Sequence, residues 1–384
     1  MKEKFLDLGK QPIANAFLKQ KVSDNELFYN LIMCFDDSTK LVSQAEPIKS
    51  DLMFNDSYPY RGSMSKTMRN HFRKLSLNLS DSLNVLEIGS NDGVFVKNRS
   101  TKNTICVEPC KNFAAETSDL GYKTYCNFWN NDLANKIKSE RGKQDVIFAA
   151  NCICHIPDLD DCFSSVESLL KDDGQFIFED PSLLEMINNN SYDQIYDEHI
   201  HIFSVIALDN LLKQHGLQVS KVENLSVHGG SNRIYAKKIG AEICPSVDIN
   251  KSQEKLFGLD DMQAFNIFAK KVAESKQDLN RFLNNCARSQ KKVISYGATS
   301  KSTTIFNYCD IDENLIEYIV DTTPEKQGRF SPGKHIPIIK PEQGFNNSID
   351  IAFLGAWNFA EEIRKKEKNF KGRFLTHVPS IRVL

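Results

Sequence analysis

Two periods of apolar residues run through this chain. Between residues 80 and about 240, short apolar runs alternate with stretches of helical period, a βαβ rhythm that predicts a parallel sheet covered on both faces. Val85–Ile88, Ile105–Glu108, Tyr122–Cys126, Asp145–Ala150 and Gln175–Pro181 read as its strands, with a helix from Asp161 to Leu170 and Gly174 before the last of them. Residues 250 to 290 keep a helical period, with Phe257, Phe265, Phe268, Val272, Leu279 and Leu283 as core positions. The strand, glycine turn and helix theme then returns at Lys292–Thr304, followed by strands at Ile316–Asp321 and Asp350–Leu354. The first 75 residues are less regular. They predict a strand at Phe28–Met33, a turn at Cys34–Asp37, a tyrosine-bearing loop at Ser57–Ser63, and a helix from about Met64 to Leu75 that would wall a pocket. The pattern therefore predicts an α/β chain: an N-terminal module (1–75), a doubly wound unit (76–245), a second such unit (246–384), and a cleft between the two.

The first glycine turn narrows the chemistry. Val85–Ile88 runs into Gly89-Ser90-Asn91-Asp92-Gly93, and Glu108 ends the next strand 19 residues after Gly89. Glycines there let backbone approach a ligand, and an acid at that distance suits ribose hydroxyls. A dinucleotide would call for G-x-G-x-x-G, which is absent. Glu87, an acid inside the strand, suits a ligand with a cationic end, so S-adenosylmethionine is the expected cofactor. Asn151, His155 and Glu179 lie at carboxyl ends of later strands, where ligands of open α/β sheets bind.

Two further stretches carry candidate chemistry. Ser191–Ser204 crowds His199, His201, Asp193, Asp197, Glu198, Tyr192 and Tyr196 among apolar residues, and a histidine beside carboxylates can serve as a catalytic base. Val227–Arg233 places Gly229 and Gly230 between strand-like runs, either for close ligand approach or for a bulge. Gly297, Ala298, Lys301, Ser302 and Thr303 at a helix start form a candidate phosphate cradle, although this is not a P-loop.

Bulk composition removes several classes. A net charge of −2, with 26 % charged and 41 % hydrophobic residues, gives no reason to expect nucleic acid or an anionic membrane as partner. No apolar leader opens the chain and no run of about 18 apolar residues occurs, so a cytoplasmic protein is expected. None of the ten cysteines forms a C-x-x-C pair, as expected for reduced, mostly buried thiols.

Five separated motifs together resemble one family, the S-adenosylmethionine-dependent sugar C-methyltransferases that act on nucleotide-linked 4-keto-deoxyhexoses. They are Leu8–Asn15, Glu87–Gly93, Tyr196–His199, His228–Ser231 and Tyr296–Thr299, and the Asp321–Gly328 run belongs with them. The resemblance implies that a base removes the C3 proton beside the C4 ketone and that the enolate takes the methyl group. It implies His199 as that base, Glu198 and Tyr196 as its orienting or substrate-holding partners, and His155 with Asn151 beside the ketone. Glu87, Gly89, Ser90, Asn91, Asp92, Gly93, Glu108 and Asn151 would hold the cofactor. Tyr60, His228, Gly297, Ala298, Lys301, Ser302 and Thr303 would hold the nucleotide sugar, and a monomer is implied. Family members usually open with a zinc module built on two C-x-x-C pairs; here the first pair is missing and the second keeps only Cys34, with Asp37 three residues on. One thiolate cannot close a tetrahedral site, so no metal is expected and the module must hold by packing or be looser. Methylation at another carbon or at an oxygen, a nucleotide-sugar oxidoreductase, and a non-catalytic sugar-nucleotide binder are the alternatives.

Overall fold

Strands Val85–Ile88 and Gln144–Ala150 lie side by side at the middle of a seven-stranded sheet, and the chain order reverses between them. In this computed structural model, which describes residues 2–21 and 26–384, the sheet runs Leu217–Leu225, Ser231–Lys238, Leu170–Pro181, Gln144–Ala150, Val85–Ile88, Thr104–Val107, Lys123–Tyr125. Ser231–Lys238 runs antiparallel to both of its neighbours, and the other pairs are parallel. The central strands bury side chains on both faces, which is why they read as unbroken apolar runs. A reversal of strand order opens a crevice at the carboxyl ends, and both the Gly89–Gly93 turn and Asn151 open onto it.

The second unit repeats the plan in a six-stranded sheet, ordered Ile338–Ile339, Ile319–Val320, Val293–Tyr296, Ile351–Leu354, Arg373–Thr376, Arg382–Val383. All pairs are parallel except the last. Its turn after Tyr296 faces the crevice of the first sheet.

Several expectations need correction. The strand predicted from Gln175 begins at Leu170, because Leu170 pairs with Gln144 across a bulge and is fully buried. The helix before it spans Leu159–Leu169 and starts at Asp158, whose side chain accepts from the Asp161 N–H (2.9 Å). The strand predicted over Ile316–Asp321 is confined to Ile319–Val320, since the Ile316 N–H is bound to the Asp312 carbonyl in the preceding turn (3.0 Å). The single amphipathic stretch is two helices, Pro245–Phe257 and Met262–Arg288, split by left-handed Gly258. Phe257 consequently stands outside the register of the long helix and is exposed. Phe265, Phe268, Val272, Leu279 and Leu283 are fully buried.

The N-terminal residues form a third sheet of Lys2–Pro12, Phe28–Asp36, Leu41–Gln44 and, at its edge, His201–Ile202. The turn predicted at Cys34–Asp37 lies instead beyond Asp36, where the Lys40 N–H reaches the Asp36 carbonyl (2.7 Å). Cys34 is buried within the strand, paired to Lys4 and Ser43. Packing holds this module: Phe5 and Phe35 set their rings 5.0 and 4.7 Å from Phe265 of the long helix. Its fourth strand comes from the segment that carries His199, so the module and that segment fold as one sheet. Among the described residues, no helix is long and apolar enough to cross a membrane.

Candidate active site

A cavity of about 480 Å³ lies where the three sheets meet. Its floor is the first glycine turn. Gly89 has φ +72°, its N–H donates to the Val107 carbonyl (2.8 Å), and a Cβ there would stand 2.8 Å from the Cys152 sulfur. Ser90 Oγ and Glu87 Oε2 are buried without a hydrogen-bond partner, and both residues line the cavity. Burial, with the charges of Glu108 and Asp92 added, pushes the Glu87 carboxyl well above the carboxylate range. Glu108 accepts from the N–H groups of Asn91 (2.7 Å) and Cys110 (2.9 Å), and each of its oxygens keeps a further lone pair. A ligand with an ammonium, a hydroxyl pair and a close backbone approach matches this set, so these residues fit S-adenosylmethionine. Asn91 also fastens the loop above, accepting from the Gly62 N–H (3.0 Å) and donating to the Tyr60 carbonyl (3.0 Å). Asp92 and Gly93 are not on the wall; Asp92 accepts from the backbone and hydroxyl of Ser63, and Gly93 packs against Thr117. Gly89→Ala needs both a left-handed backbone and the space of the Cys152 sulfur. It is expected to weaken S-adenosylhomocysteine binding at least about tenfold by calorimetry, with the fold retained.

The middle of the cavity is a column of rings. Phe54 stacks on His155 (5.4 Å), His155 on His199 (5.3 Å), and His199 lies 4.1 Å from Tyr196, all between ring centroids. His199 Nε2 and Tyr196 Oη are 2.7 Å apart, whereas Nδ1 has no hydrogen-bond partner. Burial holds the His199 imidazole well below its ordinary value, helped by His155 and Lys301, and burial takes His155 down to about 3. Both rings are therefore neutral at pH 7. The phenol of Tyr196 is pushed well up by burial and by Glu198 and keeps its proton. Glu198 accepts from Tyr58 Oη (2.7 Å) and Asn15 Nδ2 (2.5 Å). Asp197 accepts from the Ala14 N–H (3.1 Å). Gln44 Nε2 lies 2.8, 3.1 and 3.0 Å from the carbonyls of Tyr196, Asp197 and His199, bracing the loop from below. His201 faces away and holds the Ile156 carbonyl (3.1 Å).

On the far wall, Gly297, Thr299, Ser300 and Lys301 line the cavity. Among the described residues no hydrogen bond or salt bridge reaches the Lys301 ammonium, and burial lowers its pKa. Three residues expected here are turned elsewhere. Ala298 binds Asp321 and Lys326 through its backbone (2.7 Å each), Ser302 closes a capping box with Thr299, and Thr303 Oγ1 donates to the Ala14 carbonyl (3.0 Å). His228 and Tyr60 lie on the wall, and burial lowers the His228 imidazole to about 3. Gly229 (φ +88°) packs so close to Trp357 that a Cβ would enter its ring. That indole donates to Asp193 (2.6 Å), which locks the His199 segment to the C-terminal unit. Arg61 straps the cavity mouth, forked on Glu116 (2.8 and 3.0 Å) and 3.4 Å from Glu325.

Asn15, Gln44, Tyr58, Asp321 and Lys326 are site residues that sequence reasoning missed. Tyr58, Asn15, Asp321 and Lys326 stood in stretches already singled out, but nothing local to Gln44 marks it.

Comparison with known proteins follows the same lines. A family model described as "Methyltransferase domain" matches residues 60–222, and one described as "C-methyltransferase C-terminal domain" matches residues 226–379. The chain is 30 % identical to the C-methyltransferase NovU of Streptomyces niveus over 393 residues, covering 99 % of this chain and 93 % of that one. A solved S-adenosylmethionine-dependent methyltransferase from Clostridium acetobutylicum is 15 % identical, covers 46 % of this chain and 94 % of its own, and has a TM-score of 0.34. A second, from Thermotoga maritima and titled a possible histamine N-methyltransferase, gives 17 %, 44 %, 88 % and 0.35.

Proposed function

This chain belongs to the S-adenosylmethionine-dependent C-methyltransferases, and from that premise we propose that it methylates C3 of a nucleotide-linked 4-keto-deoxysugar. The observation that carries the proposal is the Tyr196–His199 pair, a neutral imidazole with one free nitrogen, set against His155 inside a cavity shared by both doubly wound units. S-adenosylmethionine, when bound, supplies an electrophilic methyl group on a good leaving group. In this reading residues 76–245 hold that donor and residues 246–384 hold the nucleotide.

A proton beside a ketone is weakly acidic, so its removal needs a positioned base and a donor at the ketone oxygen. In the tautomer that carries its proton on Nε2 and donates it to Tyr196, Nδ1 presents its lone pair to the C3 proton. The His155 Nε2–H, free of any other partner, donates to the oxyanion. Glu198, fixed by Tyr58 and Asn15, sets the position of the loop and of the sugar. Lys301 and the start of its helix take the diphosphate, and Asp321 takes ribose hydroxyls.

The test is solvent exchange. With S-adenosylhomocysteine and a thymidine-diphosphate 4-keto-deoxysugar in D2O, the protein is expected to exchange the C3 proton, visible as loss of its NMR signal. Turnover with the methyl donor is expected to place the methyl on that carbon. Transfer to an oxygen without C3 exchange would overturn the proposal.

A further inference from the structure

The ring column also gathers a metal-type donor set, two of whose members the proposed methyl transfer uses in another way. Cys154 Sγ and one nitrogen each of His155 and His199 all lie within 4.8 Å of one another. Cys154 and His199 are 1 % and 3 % exposed. Each imidazole keeps one buried nitrogen without a partner, Nε2 in His155 and Nδ1 in His199. The carboxylates of Asp180 and Glu198 lie within electrostatic reach of the Cys154 sulfur, so the field there favours positive charge.

We propose that Cys154, His155 and His199 form a site for a borderline-soft divalent cation of the zinc type, and that filling it switches methyl transfer off. One thiolate and two imidazoles select zinc or cobalt over magnesium or calcium. Metal–ligand arms of about 2.0–2.3 Å place tetrahedral donors roughly 3.5 Å apart, so the cluster closes on an ion with side-chain shifts of about 1 Å. Three protein ligands leave a fourth position for water from the cavity, the open pattern of non-structural zinc. Tyr196, bonded to His199 Nε2 (2.7 Å), supplies the outer contact that orients a ligating imidazole. The same bond leaves Nδ1 as the nitrogen that an ion would occupy. An ion on His199 Nδ1 removes the lone pair that accepts the C3 proton. Binding stands on geometry alone; the switch rests on the proposed role of His199.

The experiment is a cobalt(II) titration of the full chain carrying Cys126→Ser and Cys244→Ser, which remove two of the three thiols not buried in the fold and leave Cys152 on the cavity wall. One equivalent is expected to give tetrahedral d–d bands and a thiolate-to-cobalt charge-transfer band, and zinc is expected to displace it. Adding Cys154→Ser is expected to abolish the charge-transfer band while S-adenosylhomocysteine still binds, which shows that the variant is folded. A thiolate band that survives Cys154→Ser, or no thiolate band at all, overturns the site. Stoichiometric zinc is expected to cut turnover more than tenfold in the parent, reversibly with a chelator, and to leave the ratio near one in the Cys154→Ser protein. An ion that binds without slowing turnover overturns the switch. If methyl transfer itself is not observed, the cobalt spectrum decides the site without it.

Discussion

Replacing His199 by alanine is expected to lower kcat for methyl transfer by about 10²–10⁴-fold, the range a positioned general base contributes. C3 proton exchange should fall in the same proportion, whereas affinity for S-adenosylhomocysteine should stay within about twofold. That split follows from the contacts: His199 packs on His155 and Tyr196 in the ring column, whereas Gly89 and Glu108 bond to Val107, Asn91 and Cys110. Tyr196→Phe keeps the ring stack but removes the Oη bond to Nε2, so its effect should be about tenfold and fall on kcat rather than KM. The pH profile supplies a separate check. Burial lowers the folded-state pKa of His199 well below 6.5, so the imidazole is already deprotonated at pH 7 and stays so as the pH falls through 6.5. The profile of kcat/KM should therefore show no acidic limb at the ordinary histidine value. A limb at pH 6.5 that disappears in His199→Ala would mean that the base is solvated and the cavity open in solution. For oxygen methylation the loss in His199→Ala should be small, since a hydroxyl needs less help to lose its proton.

The doubly wound units were legible because buried parallel strands write themselves as apolar runs with glycine at their ends. Val85–Ile88 occupies the predicted positions, and Gln144–Ala150 adds only Gln144 to the predicted run. What failed was what depends on contacts distant in sequence. Ser302 and Thr303 have the composition of a phosphate cradle, yet a helix turns successive side chains by 100°. Only Ser300 and Lys301 of the first turn meet the cavity, and the next two residues serve a cap and the Ala14 carbonyl. Asp92 looked like a cofactor ligand because it sits in the glycine turn, but the Ser63 segment claims its carboxylate. The break at Gly258 did carry a local signal, a glycine after a charged helical end, and reading it as a left-handed stop would have placed Phe257 outside the core. The two-residue strand His201–Ile202 carried none. It exists only because Val42 and Ser43, some 160 residues earlier, offer an edge.

That edge ties the N-terminal module, with its one remaining zinc-position cysteine, to the His199 loop, and Gln44→Leu tests what the tie does for catalysis. The Gln44 amide is nearly fully buried, and its two N–H groups are shared among the carbonyls of Tyr196, Asp197 and His199. The Tyr196 carbonyl also accepts from the His199 N–H (3.0 Å), so it would survive the change. The His199 carbonyl has no other hydrogen-bond donor among the described residues, and leucine would orphan it inside the fold. A buried acceptor without a partner costs about 1–3 kcal/mol, and the cost falls on the loop that aims the imidazole. A displacement of about 1 Å at a reacting group costs on the order of 10²-fold in rate. Gln44→Leu is therefore expected to lower kcat about 10²-fold and to lower the urea midpoint modestly. Binding of S-adenosylhomocysteine should be unchanged, because the Gly89 turn makes no contact with Gln44. Gln44→Glu separates bracing from filling: it keeps the shape but replaces the donating amide with an acceptor facing three carbonyls, and it should be at least as damaging as leucine. If both variants retain full kcat, the N-terminal sheet does not position His199, and the catalytic loop must be held by Asp193 and Trp357 from the C-terminal side alone.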